Sequence, residues 1–321
     1  MNEMTIEQLK DGISNLATAH LSNILYIEPD GNKEAKKFRA IVNNKTNAIE
    51  AIASDKYSLI QHAEAFGVIT RAMEITSKDS KFFAKINEQN GRAWLYVTFT
   101  DITTPDDKEG VMFGISASNS YDTSSSLRYF GNSKDNSQGT FQFLGTRQRD
   151  LTNMIISVRM EDVLTKEEQA ALNATLLALD TEKATLERGK ENEEKEIELD
   201  KKLIVPEEKI KTCIRHYGKT ATIELNRACL MVLALPAVAK HMGMKINTMR
   251  KKPMTWIVAE PVMKDLGFGE RATKKIGERF KIEEQTMWGL FCAIAAHATH
   301  DEKISPLSME RTLKQAEKLL K

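Results

Sequence analysis

The run Ser118-Asn119-Ser120-Tyr121-Asp122-Thr123-Ser124-Ser125-Ser126 sets six serine and threonine hydroxyls around Asn119 and Asp122. Hydroxyls and backbone N–H groups can hold a phosphate, and the Asp122 carboxylate can hold a metal or pair with Arg128. Ser118, Asn119, Ser120, Asp122 and Ser124 therefore form a candidate polar loop. The alternative is a strand connection whose Asp and Ser side chains bond their own backbone. A second chemistry lies in basic residues interleaved with aromatic ones: "KKFR" (36–39), "RAWLYVTF" (92–99), "LRYFGN" (127–132), "TRQR" (146–149) and "MRKKPMTW" (249–256). Arginine and lysine neutralise phosphate, and an exposed aromatic can stack a base. The candidate nucleic-acid-binding residues are Lys36, Lys37, Arg39, Arg92, Arg128, Tyr129, Arg147, Arg149, Arg250, Lys251 and Lys252. Against this, Trp94, Tyr96 and the phenylalanines also suit a core. "HATHDE" (297–302) offers two histidines three residues apart, but a zinc site needs three or four ligands, and a helix end is the simpler reading.

The chain has no GK[ST] phosphate loop, no dinucleotide GxGxxG, no GxSxG, no HExxH and no paired CxxC. No carboxylate pair stands out as an acid/base couple. No catalytic residue, cofactor or resident metal is assigned. Cys213, Cys229 and Cys292 are far apart and odd in number, which reads as buried thiols in a reducing compartment. Met1–Lys10 lacks an apolar block, and the densest apolar stretch, Ala228–Ala239, is interrupted by Pro236. The expectation is a cytoplasmic chain with no membrane span.

The elements that must position these residues fall in two parts. Thr5–Leu16 reads as a helix capped by Thr5, with Ile6, Leu9, Ile13 and Leu16 on one face. Strands are expected at Asn23–Ile27, Phe38–Val42, Ala48–Ala53 and Tyr57–Gln61, with the turns Pro29-Asp30-Gly31 and Asn43–Asn47 between them. A helix follows through Ala65, Phe66, Ile69, Ala72 and Met73. Phe82–Asn87 and Ala93–Phe99 flank Asn90-Gly91, the strongest short-range hairpin signal in the chain. Val111–Ala117, Leu127–Phe130 and Gly139–Leu144 complete the strands. From Glu161 the pattern turns helical and charged, and 187–202 holds a single apolar residue before Leu199. A continuous helix over 161–203 would run roughly 65 Å. Helices are expected from Pro206 to Tyr217, Ile223 to Leu235 (stopped by Pro236), Thr255 to Leu266, Thr273 to Phe280, Glu284 to His297 and Pro306 to Leu320. The class is α+β: an antiparallel sheet with helices over 1–160, a charged helical segment over 161–205 and a basic helical part over 206–321. Net charge segregates with it, −1, −6 and +8 in that order, an asymmetry that often accompanies polyanion binding.

Three stretches taken together resemble the phage/plasmid-like family catalogued as domain of unknown function 932. They are "DKYSLIQHAEAF" (55–66), "FGISASNSYDTSSSLR" (113–128) and "TMWGLFCAIAAHATHDEKISPLSMERTLKQAEKLL" (286–320). Thr123 stands where that family usually has glycine, and 130–150 departs from its pattern. The resemblance implies a mobile-element context and no established catalytic residues. At the level of fold, a helix followed by a hairpin with Arg and aromatic residues is similar in order to single-strand annealing proteins of the RecT and Rad type. The leading expectation is a non-enzymatic, nucleic-acid-binding protein that holds single-stranded DNA, for annealing or replication, with self-association as a further expectation. The alternatives are an assembly or host-defence-related protein using 161–205, and a metal-dependent nuclease-like enzyme built on Asp122.

Overall fold

The computed structural model describes residues 3–28, 31–57, 59–77, 79–105, 110–122, 128–129, 140–171, 174, 203–204, 225–301 and 303–320. Ser124, the charged run 187–202 and the expected helix from Pro206 to Tyr217 lie outside the described residues.

The chain is mixed α+β. Its larger sheet is an antiparallel path of β4 (Phe82–Gln89), β5 (Arg92–Thr103), β6 (Val111–Ser120), β8 (Thr140–Arg147) and β9 (Thr152–Arg159). The two-residue β7 (Arg128–Tyr129) pairs with the far end of β6. The smaller sheet pairs β1 (Ala19–Glu28), β2 (Gly31–Asn43) and β3 (Ile49–Ser54) antiparallel, with β10 (Leu203–Ile204) parallel to β1.

Local chemistry explains the joints. Helix α1 (Ile6–Ser14) opens on a capping box: Thr5 accepts from Gln8 N, and the Gln8 side chain accepts from Thr5 N. In the β4–β5 turn Asn90 and Gly91 have φ of 50° and 67°, as the primed hairpin turns require. In the β2–β3 turn Asn43 Oδ1 accepts from Lys45 N and Thr46 N, and Asn47 takes φ 54°.

Helix α2 (His62–Thr76) is preceded by extended chain, and the described residues of Tyr57–Gln61 form no strand. Gln61 instead spends its side chain on Ala19, so this segment is a tether to β1. After the short α3 (Met160–Val163) comes α4 (Leu225–Arg250), which runs through Pro236. Proline removes one helical donor, but the apolar face continues beyond it through Val238, Ala239, Met242, Ile246 and Met249, all buried. Burial of that face, at about 1.5–3 kcal/mol per large side chain, outweighs the missing bond. By length and composition Ala228–Arg250 alone among the described residues would suffice to cross a membrane. Here it is a core helix, packed against α2 and β6.

Helices α5 (Trp256–Asp265), α6 (Glu270–Phe280), α7 (Met287–His300) and α8 (Pro306–Glu317) follow. Helix α5 ends in a Schellman turn, with Phe268 N on Met263 O, Gly267 N on Lys264 O, and Gly267 at φ +85°. One apolar cluster unites α1, α2, the larger sheet and the C-terminal helices. At the outer edge of β9, Asn153 N donates to Thr299 Oγ1 and Ser157 N to Glu317 Oε1. Side chains from α7 and α8 thus cover strand donors that would otherwise invite pairing with another chain. Strand β9 did not figure among the expected elements.

Candidate nucleic-acid interface

Ser118, Asn119 and Ser120 end β6 and are buried. Asn119 Nδ2 donates to Ile60 O at 2.9 Å and to His62 Nδ1 at 3.0 Å. The His62 ring stacks on Tyr121 with centroids 3.8 Å apart. The Tyr121 hydroxyl accepts from His62 N and lies 3.0 Å from both Ala17 O and Gln61 Oε1. The Gln61 amide holds Ala19 through both its N–H and its carbonyl. Two of the three stretches, 55–66 and 113–128, therefore meet, in a junction that locks the chain before β1, the start of α2 and the end of β6. The third lies along β9 through α7 and α8.

Asp122 pairs with Arg92, Nε to Oδ2, at 2.6 Å. The Arg128 side chain lies outside the described residues, as does that of Tyr129. Arg92 is thus a neutralising partner within the junction. Burial, and after it the Asp122 charge, raises the Tyr57 pKa. Among the described residues no three His, Cys, Asp or Glu side chains gather as a metal set.

His62, Gln61 and Tyr121 were not among the candidate site residues, although all three stand inside the quoted stretches. Because Nδ1 accepts from Asn119, the proton sits on Nε2, which is buried with no hydrogen-bond partner. Burial pushes the His62 pKa down to about 4 from 6.5. The unfolded chain then binds the extra proton first, so stability falls as pH drops from about 6.5 toward 4. The ceiling of this loss is about 3 kcal/mol, at 1.36 kcal/mol per pKa unit. Urea midpoints at pH 7 and pH 4.5, compared between wild type and His62→Phe, check this: the variant should lack that part of the acid loss. An identical pH dependence in both would refute it.

The cations divide sharply. Arg147, expected on a binding surface, is fully buried. It donates to Asp150 (Nε to Oδ1, 3.0 Å; Nη2 to Oδ2, 2.5 Å) and to Glu283 (Nη1 to Oε2 and Nη2 to Oε1, both 2.8 Å). Burial opposes the Asp150 charge, but the bonds from Arg147 and Thr152 together with the Arg147 charge outweigh it and hold its pKa below the usual value. Arg149 Nη2 reaches the same Glu283 oxygen at 3.0 Å, and Arg250 Nε lies 3.3 Å from Glu284 Oε2. Arg147 and Arg149 on Glu283, and Arg250 on Glu284, thus meet two consecutive carboxylates in the α6–α7 turn. A phosphate would have to displace a carboxylate there.

Lys36, Lys37 and Arg39 on β2, and Lys251 and Lys252 after α4, are exposed. They have no carboxylate partner among the described residues. The aromatics of "RAWLYVTF" are core: Trp94, Tyr96 and Phe99 are buried. In "HATHDE", His300 Nε2 meets Thr152 Oγ1 at 3.2 Å and His297 Nδ1 lies 3.6 Å from Asp301, which also binds Lys275. Burial lowers both histidine pKa values. This is a helix-to-sheet joint. The described cysteines, Cys229 and Cys292, are buried thiols.

No protein-family model, curated protein or solved structure matches this chain.

Proposed function

We propose that this chain is a non-enzymatic nucleic-acid-binding protein that holds single-stranded DNA through its backbone. The observation carrying this reading is the separation of cations into two kinds. Arg92, Arg147, Arg149 and Arg250 are tied to carboxylates, while Lys36, Lys37, Arg39, Lys251 and Lys252 are exposed and have none among the described residues. An exposed lysine or arginine with no acid partner gives up little on meeting a phosphate, and counterion release from the strand favours the encounter. The core placement of Trp94, Tyr96 and Phe99 supports a reading in which charge outweighs stacking. The family resemblance, with its mobile-element context, agrees with this reading but does not carry it. Fluorescence polarisation with a labelled single-stranded oligonucleotide at about 150 mM salt tests it. The expected Kd is roughly 1–100 µM, the range of sequence-independent binding. No rise in polarisation at any protein concentration up to 200 µM would overturn it.

A further inference from the structure

Two segments of the helical part are pinned side by side. Pro253 and Thr286 form an antiparallel bridge, Met254 N donates to Gln285 O, and Met287 N donates to Lys252 O, both at 2.9 Å. Just beyond the bridge the Trp256 ring lies 6.1 Å from that of Phe280 and over Gly277, where an added Cβ would sit 2.8 Å from the indole. The first turn of α5 and the α6–α7 turn therefore share one end of the molecule.

That end combines two features. Ile257 is 85% exposed, Ile282 77% and Val258 55%, three of the four large apolar side chains that stand out in solvent among the described residues. Aliphatic surface of this kind is ordinarily buried, at about 1.5–3 kcal/mol per side chain. The local charge is one-sided as well. The carboxylates are answered within the chain: Glu278 by Lys281, Glu284 by Arg250, Glu283 by Arg147 and Arg149, and Glu260 by Lys264. Among the described residues of this end, Lys251 and Lys252, and Arg279 in the last turn of α6, have no carboxylate partner.

From this we infer that the 251–258 and 280–283 end is the base-contacting element of the protein. Lys251 and Lys252 take phosphates of a single strand, while Ile257 and Ile282 wedge between neighbouring bases. This rests on the nucleic-acid reading above and names how that site meets the bases. Residual positive charge complements the strand's phosphates, and inserted aliphatic wedges are an established way for proteins to part base steps. The flat faces of unpaired bases offer the apolar partner that Ile257 and Ile282 lack. Three aliphatic side chains give a lipid surface little to hold, and α5 carries Glu260, Lys264 and Asp265 on its later turns.

The test uses the full chain and a single-stranded oligonucleotide with 2-aminopurine stacked between adenines. Wild type should raise the 2-aminopurine fluorescence severalfold on binding. I257S/I282S should bind about tenfold more weakly and leave that fluorescence low at saturation. K251A/K252A should weaken binding but keep the fluorescence rise once saturated. All these side chains are exposed, so thermal midpoints by circular dichroism should match wild type. An I257S/I282S variant with unchanged Kd and unchanged fluorescence overturns this inference and leaves the nucleic-acid reading standing. Absence of oligonucleotide binding by wild type overturns both. Wild type that floats with phosphatidylserine vesicles, or sediments as a dimer through Ile257 and Ile282, with no 2-aminopurine response, assigns the end to a lipid surface or a second copy and overturns the inference.

Discussion

Replacing Glu283 by alanine is expected to destabilise the protein by about 3–5 kcal/mol, the cost of stripping one partner from a buried ion pair. Glu283 is 6% exposed, and Arg147, fully buried, gives it two bonds at 2.8 Å. Asp150 remains for Arg147, which places the loss toward the lower end. Arg149 also loses its partner, but it is 47% exposed and adds little. Glu283→Gln keeps the shape and one acceptor, so it should lose less. The double change Arg147→Met with Glu283→Leu removes both charges together and should recover most of the stability. Urea midpoints of the four proteins decide the matter. A Glu283→Ala protein within 1 kcal/mol of wild type would show that the sheet and the helical part are not joined by this pair.

A comparable loss is expected from Gly114→Ala. Gly114 lies in mid-β6, between Thr98 of β5 and Leu144 of β8. A Cβ there would sit 1.8 Å from Val97 O and 2.8 Å from Thr98 Cα, both backbone atoms. A flexible side chain can step aside, but a strand paired on both edges cannot. The variant must displace β5 or break its ladder, at a cost of about 3 kcal/mol, the upper end for overpacked cores. Gly67→Ala is the control, because a Cβ at Gly67 meets nothing within 4 Å. Thermal midpoints should fall clearly for Gly114→Ala and hold or rise for Gly67→Ala, where alanine favours the helix. Equal midpoints would mean that β5 and β6 have room to separate.

How much was legible in the sequence follows from the range of each interaction. Thr5 with Gln8, and Asn90 with Gly91, act over three residues or fewer, and the α1 cap and the β4–β5 turn formed as their side chains dictate. The missed β9 is joined to β8 by Gln148-Arg149-Asp150-Leu151, where Leu151 takes φ 57°. Leucine is a poor residue for that conformation, so no turn signal marked the strand. Pro236 misled because local backbone chemistry says stop, while burial of the face beyond it says continue. The site follows the same rule. The charges of Lys36, Lys37, Arg39, Lys251 and Lys252 are plain in the sequence. The burial of Arg147 is not, because its partner Glu283 lies 136 residues away. His62 was passed over for the same reason, since its meaning depends on Asn119, 57 residues distant.

The most direct measurement is the salt dependence of oligonucleotide binding, in wild type and in a variant with Lys36, Lys37, Arg39, Lys251 and Lys252 all changed to alanine. Each phosphate contact on a single strand contributes about 0.7 to the slope of log K against log salt. If all five cations touch phosphate, wild type should show a slope near −3.5, and the variant should bind far more weakly with a slope close to zero. An unchanged slope and affinity in the variant would contradict the central claim that these exposed cations hold the strand.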